Sequence, residues 1–430
     1  MPHSKHSGLT AIDLFAGCGG LSLGLELNGF HTLLFSELNK DAAATYRANR
    51  PREDLLEVGD IHDLTNLKIR ELKKEWHKEG IHDVDIVTGG PPCQGYSKIG
   101  HRRTFKLNKH QIPSNQLFKE MIRVVKAVRP RSFLFENVSG LLTASWTPDG
   151  AKGEIFRDVL REFRRIKGYI VRWELVHAKD YGVPQNRPRI LIIGIRTDVG
   201  FKPKQRPQRD ERTIIKPSAI MDRLLPERTG NPPNLIDLLG DLVDPAFDLD
   251  DPAFRRVAAT RHYPYDATED IQLELRSPSK TGPATKKGYP VTDHDYSRHS
   301  RPIRDKFAHM HAHQGRILES MQTKKFAQRL LPEKWSKGGP NITATSLPDD
   351  FVHFSQARTL SVREWARLQL FPDWYVFKGP RTTGGRRRAG DPHAGIWERD
   401  VPKYTQIGNA VPVGLARAVG AHLAKILRRR

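Results

Sequence analysis

The most restrictive stretch of this 430-residue chain lies near its beginning. Thr10-Ala11-Ile12-Asp13-Leu14-Phe15 reads as a buried strand and runs into the turn Ala16-Gly17-Cys18-Gly19-Gly20. Leu21-Ser22-Leu23-Gly24-Leu25-Glu26-Leu27 then reads as a helix that ends near Asn28-Gly29. Strand, glycine turn and helix form the nucleotide-binding opening of a doubly wound sheet, where glycines let a ligand reach the backbone. The glycine spacing is not that of the usual dinucleotide fingerprint, which weighs against a nicotinamide or flavin enzyme.

The alternation continues. Phe30 to Phe35 is a second strand with Glu37 just past its end, where an acid is placed to accept from a ribose diol. A helix over Asp41 to Asn49 follows, and then Glu57-Val58-Gly59-Asp60-Ile61, where Asp60 is either an acceptor for an adenine amino group or a simple turn residue. A helix with Leu64, Leu67, Leu72 and Trp76 on its apolar face precedes the strand Val84 to Thr88. Leu117, Met121, Val124, Val125 and Val128 recur at helical spacing, Arg131 to Phe135 is a strand, and so is Ile190 to Gly194. This order predicts an α/β fold, a parallel Rossmann-like sheet with crossover helices.

Three places on that frame carry chemistry. Gly89-Gly90-Pro91-Pro92-Cys93-Gln94-Gly95-Tyr96-Ser97 is a strand-end loop, stiffened by two prolines, with one cysteine at its tip. Cys93 there is either a presented nucleophile or the free thiol of a surface turn. Glu136, after Ser132-Phe133-Leu134-Phe135, has no obvious local cation, so partial burial would raise its pKa toward that of a proton donor. The alternative is a strand-end acid bonded to backbone. Gln185, Arg187 and Arg189 alternate along an extended segment, and two guanidiniums on one face suit carboxylate and phosphate oxygens. The basic stretch from Lys98 to Lys106 reads as a loop closing over a nucleic-acid backbone or as a solvated surface loop.

Lysine and arginine number 71 against 49 acids, a net charge of +22 that favours a polyanionic partner. Two cysteines exclude a disulfide scaffold and a thiolate zinc cluster. The amino-terminal residues lack a signal-peptide core, and no run reaches the roughly 18 apolar residues of a membrane span. From about residue 200 prolines become frequent and strands are hard to find. His294, His299, His309, His311 and His313 fit no standard ligand set, so no metal is expected; the last three, with Gln314-Gly315-Arg316, are expected to face DNA. Regular sequence returns at Arg358 to Pro372, where Ser361 caps a helix with Glu364 three residues on and Val362, Trp365, Ala366 and Leu368 form the apolar face. A Gly/Arg-rich segment over 378–400 suits phosphate contacts or a disordered charged loop, and an amphipathic helix through Leu415, Val419, Leu423 and Ile426 closes the chain.

In this order, DLFAGCGG (13–20), Glu37, Asp60, GGPPCQGYS (89–97), ENV (136–138), QNRPR (185–189), RTLSVREWARLQLFPD (358–373) and QIGNAVP (406–412) resemble the motif series of the DNA cytosine-5 methyltransferases. The resemblance covers roughly 9–195 and 341–425. It implies a Rossmann-like S-adenosylmethionine-dependent domain over 1–199, a target-recognition domain over 200–355, and a C-terminal part, 356–430, that returns to the catalytic core. Cys93 would add to carbon 6 of cytosine, Glu136 would hold a proton at ring nitrogen 3, and Arg187 and Arg189 would orient the intermediate. Asn137 would support the loop.

S-adenosylmethionine is the cofactor implied, lying against Phe15, Ala16, Gly17, Cys18, Gly19, Gly20, Glu37, Leu38, Asp60, Ile61, Pro91, Leu117, Asn409 and Ala410. The cytosine would be flipped out of double-stranded DNA held by Gln94, Ser97, Lys98, Arg102, Arg103, Thr343, Arg386 and Arg387. Cys18 reads as a small buried filler or a lining residue of that turn. The resemblance further implies a monomer in a prokaryotic cytoplasm, associated with the nucleoid and not with membrane, working beside an independent restriction endonuclease or alone. An RNA cytosine-5 methyltransferase on the same core is the alternative, and the long segment 200–355 argues against it.

Overall fold

A computed structural model describes residues 8–92, 113–204, 219–220, 222–228, 230–247, 261–278, 283–322, 328–336, 339–342, 350–382 and 400–428. The chain opens with β1 (Leu9–Leu14), α1 (Gly20–Glu26), β2 (Phe30–Ser36), α2 (Lys40–Ala48) and β3 (Leu56–Val58). It continues through α3 (Asn66–Lys78), β4 (Ile86–Gly89), α4 (Leu117–Val128), β5 (Ser132–Val138), α5 (Glu154–Arg164), β6 (Tyr169–His177) and β7 (Pro188–Arg196). These strands form one seven-stranded sheet in the order β3-β2-β1-β4-β5-β7-β6.

β1 to β5 pair in parallel, as the alternation predicts, but β7 runs antiparallel to both β5 and β6. β6 and β7 are joined by a short connection over 178–187 with no crossover helix, and such a link can only turn the chain back on itself. The parallel pairing expected from the alternation of the first strands holds through β5, and the edge formed by β6 and β7 departs from it.

Strands buried on both faces read as nearly continuous apolar runs because each face packs a helical layer. Leu9, Ala11, Ile86, Leu134 and Leu191 belong to one core with α1 and the C-terminal helices. Ile12, Leu14, Val87, Phe133, Phe135, Ile190 and Ile192 belong to the other, against α3, α4 and α5. On α3 the inward residues are Ile69, Leu72 and Trp76, whereas Leu67, expected there, is exposed.

Beyond residue 200 the described elements are short: α6 (Leu235–Leu239), α7 (Asp270–Arg276), α8 (Arg301–Ala312), β8 (Arg329–Leu330) and β9 (Phe351–Val352). Leu224, Leu225, Leu235, Leu238, Leu239 and Leu275 join the same apolar cluster as α1. The chain closes with α9 (Val362–Arg367), α10 (Lys403–Asn409) and α11 (Val413–Arg428), and α11 packs along α1. Gly24 makes that contact close: a Cβ there would lie 2.6 Å from the Ala416 carbonyl carbon and from Arg417 N. Among the described residues no single helix is long and apolar enough to cross a membrane.

The capping box at Ser361 and Glu364 forms as the sequence predicts. The helix it starts is shorter than the predicted stretch and is not amphipathic: every residue of α9 is buried, including Arg363, Glu364 and Arg367.

Candidate active site

At the end of β1 the chain leaves the sheet through left-handed backbone at Phe15 (φ 56°), Gly17 (φ 56°) and Gly19 (φ 84°). Gly17 N donates to Glu37 Oε2 at 2.8 Å, and Asn39 N donates to Glu37 Oε1 at 2.8 Å. Burial pushes the Glu37 carboxyl up, while the backbone N–H groups of Asn39, Gly17 and Leu38 favour its charge. Each carboxylate oxygen has a second lone pair, so both remain able to accept from a ligand hydroxyl. Beside them Leu38 is 73% exposed, and nothing lies within 4 Å of where a Gly17 Cβ would stand.

Asp60 caps the short turn after β3: its Oδ1 accepts from His62 N at 3.0 Å and lies 2.6 Å from His62 Nδ1. The His62 backbone N–H, above all, holds the Asp60 carboxyl below its usual range. Ile61 and Pro91 are buried, Ala16 and Leu117 are half-buried, Asn409 is exposed and Ala410 is buried. Gly20 faces the loop after α10, since a Cβ on it would meet Val411 O at 2.5 Å. An open glycine backbone, an acid at the end of β2 and an exposed Leu38 beside it fit a nucleoside ligand. Of the two readings of Cys18, its side chain fits the small buried filler: it is turned into the core, with Sγ 3.5 Å from Gln406 O. Burial pushes its thiol up to about 12.

Glu136 projects from β5 and is 8% exposed. Contrary to the reading of an acid without a local cation, Arg189 Nε lies 2.5 Å from Glu136 Oε1. The antiparallel register explains why adjacent sequence did not reveal it: Glu136 pairs with Leu191 and Val138 with Arg189, so Glu136 and Arg189 are diagonal neighbours on one face. Burial still pushes the carboxyl above its usual range, against the opposing pull of Arg189 and then Arg187. Gly90 of the strand-end loop approaches so closely that a Cβ there would lie 3.0 Å from Glu136 Oε2. Asn137 Nδ2 donates to Pro91 O at 3.2 Å, tying β5 to the same loop.

Arg187 departs from expectation. It is 1% exposed, and its guanidinium donates to three main-chain carbonyls: Ile342 O, Gly408 O at 2.6 Å and Ala410 O at 3.1 Å. It therefore ties the QNRPR segment to two distant stretches of chain, where two guanidiniums turned together toward carboxylate or phosphate oxygens were expected. Gln185 behaves alike, with Nε2 2.5 Å from Leu368 O. Cys93, Gln94, Ser97, Lys98, Arg102, Arg103, Thr343, Arg386 and Arg387 lie outside the described residues.

Sequence reasoning missed the polar groups that hold this site from behind. Asp13, buried at the end of β1, accepts from Ser22 Oγ and from Thr88 Oγ1 at 2.9 Å, and burial pushes it up to about 6. The charges of α9 face inward: Glu364 takes Arg358 through both oxygens, at 2.8 and 2.6 Å, and Arg367 pairs with Asp241 and Asp373. The signal was present as a short helix charged on several sides amid apolar neighbours. His294 sits in the same core, with Nδ1 2.8 Å from Ser361 Oγ and Nε2 3.1 Å from Leu242 O. At the end of α8 the rings of His309 and His313 stack at 3.9 Å, and His311 is half-buried.

A family described as C-5 cytosine-specific DNA methylase matches residues 9–425 of the chain. Over 429 residues the chain is 30% identical to the Type II methyltransferase M.DdeI of Desulfomicrobium norvegicum, covering 97% of this chain and 88% of that one. It is 31% identical over 419 residues to the Type II methyltransferase M1.HphI of Haemophilus parahaemolyticus, covering 97% and 87%. In fold it is similar to the crystal structure of a prophage-encoded E. coli protein assigned as a DNA modification methyltransferase. That likeness has a TM-score of 0.65 at 22% identity and covers 98% of this chain and all of the other.

Proposed function

We infer how this chain works from the family to which it belongs, the C-5 cytosine-specific DNA methylases: it is a DNA (cytosine-5-)-methyltransferase. Its substrate is read here as cytosine within one specific duplex sequence, flipped out of the stack so that the ring can be reached. The relatives named Type II methyltransferases support a role in a restriction-modification system, in which methylation shields host DNA from an endonuclease of the same specificity.

The single observation that carries the mechanism is the carboxyl of Glu136, buried, raised in pKa and set against Gly90 of the loop that leads to Cys93. Carbon 5 of cytosine is a weak nucleophile. The Cys93 thiolate adds to carbon 6, the 5,6 double bond opens, and its electron pair moves toward carbon 5 and ring nitrogen 3. Glu136, whose pKa burial raises, holds a hydrogen at nitrogen 3 and offsets the charge that develops there. Arg189, with Nε 2.5 Å from Glu136 Oε1, fixes where that carboxyl points, and Asn137 holds the loop through Pro91 O. Glu37, Leu38, Gly17, Ile61 and Asn409 would hold S-adenosylmethionine, which supplies an electrophilic methyl group for carbon 5. Once carbon 5 carries the methyl group and S-adenosylhomocysteine is left, carbon 5 loses its proton to solvent water, which restores the double bond and expels the Cys93 thiolate, and nitrogen 3 returns its hydrogen to Glu136. Arg187 acts in this scheme by holding the main chain on both sides of Asn409. Residues 200–355 and the basic stretch from Lys98 are assigned to the DNA.

The test is transfer of labelled methyl from S-adenosylmethionine to duplex DNA and, separately, to transfer RNA. Transfer to duplex DNA that disappears in Cys93→Ser is expected; full turnover by that variant, or transfer RNA as the preferred acceptor, overturns the reading. Bisulfite sequencing of DNA from an expressing host would then give the methylated sequence.

A further inference from the structure

The glycine turn between β1 and α1 has two carbonyls, at Cys18 and Gly19, that point back into the protein. The hydroxyl of Tyr375, 357 residues away in sequence, donates to Cys18 O at 2.5 Å. Arg50 donates from Nη1 to that same hydroxyl at 3.1 Å and from Nη2 to Gly19 O at 3.3 Å. Arg50 is itself fixed: its Nε faces both oxygens of Glu26, at 2.8 and 3.0 Å, and its guanidinium lies 3.9 Å over the ring of Tyr46. No slack remains, because a Cβ on Gly19 would stand 2.8 Å from both Arg50 Nη1 and the Tyr375 oxygen.

A buried guanidinium and a buried phenol are unfavourable unless their polar atoms are paired, and here those atoms are directed at the turn and its immediate supports. The turn needs them. Phe15, Gly17 and Gly19 all hold positive φ within five residues; glycine takes that backbone freely, but at Phe15 it persists only where the surroundings over-determine it. We propose that Tyr375, oriented by Arg50, is a positioning residue for the methyl donor: it fixes the Cys18–Gly19 main chain and so keeps Gly17 against Glu37 and the turn open. The proposal rests on the reading of this turn as the methyl-donor site. Tyr375 lies in the returning C-terminal part of the chain, so the N-terminal half supplies the pocket wall and the C-terminal part holds it in shape.

The experiment uses the full chain with Tyr375→Phe, which keeps the ring and removes only the hydroxyl. It measures binding of S-adenosylmethionine and of S-adenosylhomocysteine, KM for donor and for DNA, kcat and the thermal midpoint. Loss of one buried hydrogen-bonding group predicts a donor Kd and KM raised about tenfold to a hundredfold. The KM for DNA moves far less, and kcat at saturating donor falls less than donor KM rises. Arg50→Lys, which keeps a cation beside Glu26, shifts donor binding in the same direction and decides the matter if Tyr375→Phe does not fold. Wild-type donor affinity in the folded variants overturns the proposal, and so does a parallel loss of donor binding, DNA binding and stability, the mark of a packing defect. Failure of the unaltered protein to bind the donor would instead overturn the pocket assignment.

Discussion

Arg189 and Glu136 stand on adjacent antiparallel strands, diagonal to one another on the same face of the sheet, with Nε and Oε1 2.5 Å apart. The pair has two opposed effects. Burial favours the neutral acid, the guanidinium favours the carboxylate, and burial wins, so the carboxyl stays above its ordinary range. Arg189 thus sets how far above that range the proton is held, as well as where the carboxyl points.

Replacing Arg189 by Gln removes the larger of the two positive influences on Glu136. The carboxyl should then keep its proton to still higher pH, and the limb of the kcat profile that reports its ionisation should move upward. A profile unmoved by Arg189→Gln would show that another group sets that limb. The linkage is testable separately. A folded carboxyl that retains its proton where the unfolded one releases it contributes stability below the ordinary value of 4.5 that declines as pH rises through the window between the two. Glu136→Gln should remove that slope from urea titrations.

A second pH dependence comes from the core around α9. Burial, with Arg358 beside it, holds His353 down to about 3, and burial holds His294 down to about 4, against an ordinary 6.5. The unfolded chain therefore takes up protons first as the pH drops below 6.5, and stability present above that value is lost toward 4. Glu364 adds to the loss at the acid extreme: burial would raise it, but Arg358 holds it far below 4.5. The unfolding free energy from urea titrations should fall by on the order of a few kcal/mol across two pH units below that point. His294→Gln with His353→Gln should flatten much of this dependence, and an unchanged slope would place the acid lability elsewhere.

Gly24→Ala tests the α1–α11 contact by sign. Helix propensity alone predicts stabilisation by about 1 kcal/mol. A methyl group within 2.6 Å of the Ala416 and Arg417 main chain predicts the reverse, and the packing should win. A loss of about 1–3 kcal/mol is expected in equilibrium unfolding.

Leu38→Ala separates binding from folding. A side chain 73% exposed contributes little to the fold, so stability should stay within about 0.5 kcal/mol. If Leu38 covers the donor, truncation should raise its KM roughly fivefold or more, given what burying a leucine contributes. An unchanged donor KM would remove Leu38 from the pocket.

What could be read in advance depended on how far apart the partners lie in the chain. The turn at Gly17–Gly19, the acid Glu37 and the capping box of α9 are local, and their spacing betrays them. The cation of Glu136 was hidden because it depends on the antiparallel return of β7, which no single strand announces. Arg50 and Tyr375 were hidden for a stronger reason: each is ordinary in its own neighbourhood, and only the packing of the C-terminal part on the glycine turn gives them a task. The partners of Arg187 were hidden as well, since alternation along a segment does not say whether a side chain meets ligand or main chain.

The close seat of α11 on α1 also bears on how the protein is made. Asn28, just after α1, donates to Arg417 O at 2.9 Å across 389 residues of intervening chain. At about 5–20 residues per second the ribosome takes roughly 20–80 s to cover that distance. Throughout that interval Leu21, Leu23 and Leu25 wait for Leu415, Val419 and Leu423 to emerge. The nascent chain therefore presents that helix face until α11 has been made. A message cut short before α11 yields a product whose first helix lacks that cover, which marks that product for chaperones and proteases.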